Sequence, residues 1–128
     1  MVYTLLNMSK IIEQTVKSLA QAIYAKKGEN IIGIDVRGIS SLSDYILIAS
    51  GNVDRHVIAL CREVEREMLK GKQKPAFVEG KQSGDWIIID FFEIMIHLLV
   101  PEMREKYQLE RLWPDGKLIE LGLEKSKG

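Results

Sequence analysis

The sequence predicts an α/β (α+β) fold: a single domain with a mixed five-stranded sheet flanked by helices, in the order α-β-β-α-β-β-β-α. Three observations carry this reading. Residues 9–27 and 53–70 repeat apolar side chains at spacings of three and four. Short β-branched runs, IIGIDV, DYILIAS, WIIID and IMIHLLV, lie between and after them. The run DYILIAS is apolar on both faces, as a strand is when helices cover its sheet. At 128 residues the chain is long enough to bury a real core as one domain.

Each element has its own signal. In the first helix Ile12, Val16, Leu19, Ala20 and Ile23 form the buried stripe, while Lys10, Glu13, Gln14, Lys17 and Gln21 fall elsewhere around the wheel. Gly28 is expected to supply the left-handed residue that ends it. Strands follow at 31–36 and 44–50, separated by RGISSLS. Gly51 breaks the second strand, and Asn52 is expected to cap the helix at 53–70. Its buried stripe is expected at Val57, Leu60, Cys61, Val64 and Met68. Its outer face pairs Arg62 with Glu65, Glu63 with Arg66 and Glu67 with Lys70, each pair contributing roughly 0.2–0.5 kcal/mol.

Gly71 closes that helix, and AFVEG (76–80) is a third short strand ending in a turn. WIIID (86–90) and IMIHLLV (94–100) read as a hairpin joined by Phe91-Phe92-Glu93. Pro101 suits the first position of a final helix, with Glu102 in its positive first turn. Pro114 and Asp115-Gly116 then mark a turn, giving a domain over 1–113 and a tail over 114–128.

Composition narrows the function classes. Eighteen Lys and Arg balance eighteen Asp and Glu, so phosphate contact is not the expected main source of affinity and no primary nucleic-acid contact is predicted. A single cysteine, Cys61, excludes an intrachain disulfide and fits a reducing compartment. The stretch MVYTLLNMSK lacks the basic and long apolar regions of a secretory signal. The longest apolar run, IMIHLLV, is far short of the roughly 20 residues a spanning helix needs. A cytoplasmic protein with no membrane partner is expected.

The segment DWIIIDFFEIMIH raises the main question, because Asp90, Glu93 and His97 sit among isoleucines and phenylalanines. A metal site is not favoured: His56 and His97 are the only histidines, far apart, and no paired-cysteine or H-x-x-H spacing exists. His97 reads as a hydrogen-bonded structural histidine. Cys61, on an apolar helix stripe, reads as a small core residue. SGNVDRH (50–56) places a glycine turn before a helix N-terminus, a geometry that can hold an anion. It lacks the glycine repetition of a phosphate loop, and a turn followed by an N-cap describes it better.

The aromatic residues late in the chain remain: Trp86, Phe91, Phe92, Tyr107 and Trp113, with Leu109 and Leu112. Core packing would account for any of them singly. Yet a Phe-Phe turn is unusual, because turns favour Gly, Asn and Asp. Trp and Tyr are also residue types that anchor interfaces. With Asp85, Asp90, Glu93 and Glu110 nearby they compose an apolar patch with a negative rim, which steers a basic partner.

These residues also fall into a known pattern. Asp44-Tyr45, Ser50-Gly51 with Arg55-His56, Glu79-Gly80, Trp86 with Asp90, His97, and Tyr107-x-Leu109-Glu110-x-Leu112-Trp113 occur in this order over residues 9–113. In this the sequence resembles the ribosomal silencing factor (Iojap-related) family. The resemblance implies a non-enzymatic cytoplasmic factor that binds large-subunit ribosomal protein number fourteen, blocks joining of the small subunit and represses translation when nutrients run short. It implies a nucleotidyltransferase-like architecture without that active site, and frequent homodimers; no cofactor and no metal are expected.

Carried over by position, Trp86 and Asp90 fall on the family's contact face. Glu93 and His97 match its acidic and histidine positions, and Tyr107, Leu109, Glu110 and Trp113 belong to its terminal motif. All eight are expected to serve partner binding. Many relatives have Tyr-Gly-Asp where this chain has Phe91-Phe92-Glu93. Loss of that glycine removes easy access to positive φ, so the hairpin connection is expected to differ.

Two other readings compete. A nucleotidyltransferase-like, phosphate-handling enzyme would need two carboxylates converging on metal. Asp85 and Asp90 are five residues apart and point to opposite faces of a regular strand. An obligate homodimer would instead use the aromatic patch only on itself.

Overall fold

A computed structural model of the chain describes residues 2–124, with side chains described from Asn7 onward. Its elements are α1 (Val2–Ala25), β1 (Glu29–Asp35), β2 (Tyr45–Ser50), α2 (Asp54–Lys70), β3 (Phe77–Glu79), β4 (Trp86–Asp90), β5 (Ile94–Leu99), α3 (Pro101–Tyr107) and β6 (Lys117–Ile119). A 3-10 turn at Leu109–Leu112 links α3 to the last strand. The strands form one sheet in the order β3-β4-β5-β2-β1-β6. β2 and β5 run parallel at its centre, in register from Tyr45↔Ile94 to Ser50↔Leu99, and the other pairs are antiparallel.

Every residue of β2 is buried, as its two apolar faces require. One face packs under the helices: Val16, Leu19 and Ile23 of α1 and Leu60 and Val64 of α2 meet Leu47, Ile87, Ile89, Ile96 and Leu98. The second face carries Ile34, Ile46, Ile48 and Leu99, and the chain after β5 folds back over it through Met103, Leu109 and Trp113. The stripe expected on α2, Val57, Leu60, Cys61, Val64 and Met68, is the buried one.

Several expectations are corrected. α1 begins before residue 9. Among the described residues the sheet has six strands, because Lys117–Ile119 adds to the free edge of β1, Leu118 opposite Ile34. Ile119, at its end, and Leu121 and Leu123 beyond it pack on the helical-layer core. Gln21 and Glu124 then exchange a pair of hydrogen bonds, side-chain amide to backbone, at 3.0 and 3.1 Å. A three-residue strand of mixed polarity has no periodicity of its own, so only its long-range partner defines it.

The left-handed residue after α1 is Lys27, at φ +66°, rather than Gly28. Gly28 is required for space, since a Cβ there would collide with the Ile23 side chain. Asn52 does not cap α2; Val53 holds the cap position without a side-chain bond. Glu65 pairs with Lys81 at 2.8 Å instead of Arg62, whereas Glu63–Arg66 and Glu67–Lys70 form as expected. At the β4–β5 hairpin Phe92 itself takes φ +72°, so phenylalanine occupies the conformation that glycine adopts easily.

Candidate functional site

Strand alternation builds the site. β4 turns Ile87 and Ile89 toward the helices and leaves Trp86, Ile88 and Asp90 on the second face. On β5 the corresponding residues are Met95, His97 and Leu99, and the register sets Trp86 opposite Leu99, Ile88 opposite His97 and Asp90 opposite Met95. β3 adds Phe77 opposite Asp90 and Glu79 opposite Ile88. Trp86 and His97 are therefore diagonal neighbours, close enough for long side chains to meet.

They do meet. The indole Nε1–H of Trp86 donates to Nδ1 of His97 at 3.1 Å. On its other side Trp86 packs against Tyr107 of α3, with ring centroids 5.1 Å apart and planes tilted by 44°. His97 is only 6% exposed, and burial pulls its pKa down to about 4. The imidazole is thus neutral near pH 7. Because Nδ1 accepts, the proton must reside on Nε2, which is buried and has no hydrogen-bond partner among the described residues. Asp90 is half-buried, and its Oδ1 accepts the Phe92 N–H at 2.7 Å.

α3 is held by a polar contact. Arg104 Nη1 donates to Ser50 Oγ at 3.0 Å, and its Nε lies 3.8 Å from Glu110 Oε2. Burial lowers the Arg104 pKa, and the Glu110 charge opposes that shift. Gln108, left-handed at φ +44°, turns the chain so that Leu109 enters the second-face core. Glu110 and Trp113 line a groove of about 660 Å³ floored by Ile32 and Ile34.

The eight residues expected at the site thus divide. Trp86, His97 and Tyr107 form one unit of tilted rings in contact, and Asp90 shares the strand face of Trp86. Glu110 and Trp113 belong to the neighbouring groove. Leu109, 5% exposed, is a core residue, and the buried His97 supports Trp86 from beneath. Glu93 lies apart: it lines a groove of the helical layer with Met8, Ile11 and Thr15 of α1. Its backbone carbonyl accepts the N–H groups of Asp44 and Tyr45.

Sequence reasoning missed Phe77, Ile88 and Met95, which the period of two in FVE, WIIID and IMIHLL places on the same face. It also missed Arg104, for which no local signal exists, because its partner Ser50 is 54 residues away.

The other candidate chemistry looks different in three dimensions. In the turn before α2, Gly51 N–H donates to the Leu99 carbonyl and Asn52 N–H to His56 Nδ1. Arg55 N–H is held by the Asp54 carboxylate. These amides are engaged within the chain and are not presented to an anion. A Cβ at Gly51 would lie 2.9 Å from the Val57 backbone nitrogen, so glycine there serves close packing. His56 Nε2 bonds the Lys26 carbonyl at 2.8 Å, tying the turn to the end of α1. Cys61 is buried, and its thiol is pushed up to about 12 by burial and by its bond to Glu65. Among the described residues no three His, Cys, Asp or Glu gather as a metal site would need, and no helix is long and apolar enough to cross a membrane.

The site is a surface of oriented aromatic and acidic side chains. Comparison with known proteins shows the family. Residues 9–128 match the family described as ribosomal silencing factor during starvation. The chain is 33% identical over 105 residues to the ribosomal silencing factor RsfS of Bacillus subtilis, covering 82% of this chain and 89% of that protein. It is 36% identical over 98 residues to RsfS of Haemophilus influenzae, covering 77% and 96%. A crystal structure of a Chromobacterium violaceum protein superposes with a TM-score of 0.73 at 29% identity, covering 89% of each chain. The chain belongs to the ribosomal silencing factor family.

Proposed function

We propose that this protein represses translation by occupancy. It docks in the cytoplasm on the large ribosomal subunit, against large-subunit ribosomal protein number fourteen, and so keeps the small subunit from joining. No turnover is required, only an interface of roughly 1,200–2,000 Å² placed where the second subunit would clash. Family membership supports the ribosome as target. The observation that carries the choice of surface is the Trp86 clamp, an interface-type side chain fixed between His97 and Tyr107 before any partner arrives. Preorganisation of this kind lowers the ordering cost of association. Asp90 and Glu79 on the same face supply negative charge for a basic partner.

The test is sedimentation. Purified large subunits are mixed with the protein, and small subunits are then added. Co-migration of the protein with large subunits, and persistence of separate subunits, is the expected result. Normal formation of joined ribosomes at saturating protein would refute the proposal.

A further inference from the structure

The β4–β5 hairpin carries two unfavourable features at one residue. Its tip closes through a bond from the Glu93 N–H to the Phe91 carbonyl at 3.0 Å, two residues apart, with Phe92 between them at φ +72°. This is the γ-turn of positive φ, the rarer and more strained of the two forms. The Phe92 ring is also 69% exposed, whereas its neighbour Phe91 is buried in the core. The fold gains nothing visible from a phenylalanine here: glycine would relieve the backbone and remove an apolar ring from water. Strain that the fold does not need collects at functional positions.

The surroundings indicate which function. The Phe92 N–H is held by the Asp90 carboxylate, and Asp90 shares the β4 face of Trp86. Across from Asp90 in the sheet stands Phe77, itself 41% exposed. Asp90 thus stands between an exposed Phe77 across the sheet and the hairpin tip that carries the exposed Phe92, on the strand that begins with Trp86. We infer that Phe92 is a second anchor of the docking surface, held out on a strained turn to enter an apolar recess of the ribosomal partner beside a basic side chain that meets Asp90. The inference rests on the docking reading above and extends it toward the hairpin tip.

Three variants test it, each by thermal melting and by co-sedimentation titration with purified large subunits. Phe92→Gly is expected to raise Tm, by about 3 °C, and to weaken large-subunit binding at least tenfold, the loss that an anchor residue gives. Phe92→Tyr, which keeps the ring, is expected to bind within twofold of the parent. Trp86→Ala serves as the reference for the docking reading and is expected to lose binding. If Phe92→Gly binds like the parent while Trp86→Ala does not, the Phe92 inference fails and the docking surface stands. If both bind like the parent, the docking reading fails with it. A lowered Tm for Phe92→Gly would make the ring a packing residue and also overturn the inference.

Discussion

The Trp86 indole and the His97 imidazole meet at 3.1 Å, Nε1–H to Nδ1, so a buried neutral histidine sets the orientation of a half-buried tryptophan. Both residues lie on the sheet face opposite the two long helices. Tyr107 closes the other side of the indole. The histidine acts through the tryptophan: it is itself buried, yet it fixes the orientation of the indole.

That arrangement has a pH signature. The His97 pKa falls from 6.5 to about 4 on folding, because burial disfavours the charged ring. Between these values the unfolded chain holds a proton that the folded chain does not. The stability contribution is therefore complete above pH 6.5 and is lost as pH falls toward 4, amounting to about 3 kcal/mol. Urea unfolding at pH 7 and pH 4.5 measures it. His97→Asn, which offers a carbonyl acceptor and does not titrate, is expected to show a much shallower loss. Equal acid sensitivity in both proteins would contradict the assignment.

Cys61 is predicted to be inert in the folded protein. Its thiol is buried and donates to Glu65 Oε1 at 3.2 Å, and the raised pKa leaves almost no thiolate at pH 8. Iodoacetamide is expected to label it only at the rate of unfolding, and fully in urea. Rapid labelling of the native chain would show that α2 opens there.

Removal of residues 114–128 is predicted to cost about 3 kcal/mol, the scale of three partly buried aliphatic side chains. Ile119, Leu121 and Leu123 would leave the core, and β1 would lose its partner strand. The urea midpoint of the shortened chain measures this. An unchanged midpoint would mean that the sixth strand contributes nothing to stability.

The parts of this fold legible in the sequence are those whose burial is set by local pattern. DYILIAS, apolar on both faces, is the central strand, and the spacing of Val57, Cys61, Val64 and Met68 marks the buried side of α2. Trp86 and Asp90 share a face because they are four residues apart in one strand. What was not legible depends on distant chain. Leu109 is buried only because α3 folds back across the sheet, held by Arg104 on Ser50. Glu93 parts from Asp90 because the strained turn at Phe92 carries the chain around the hairpin before β5 begins. Lys117–Ile119 becomes a strand only by meeting β1.

The most direct measurement is co-sedimentation of Trp86→Ala with purified large ribosomal subunits, its folding verified by circular dichroism. Losing the half-buried indole is expected to cost about 2 kcal/mol of stability, less than the roughly 3–5 kcal/mol of a fully buried aromatic, so the variant stays folded. The predicted result is binding weakened at least thirtyfold, on the scale of an interface hot spot, with subunit joining restored. A folded Trp86→Ala protein that sediments with large subunits as the parent does would contradict the account.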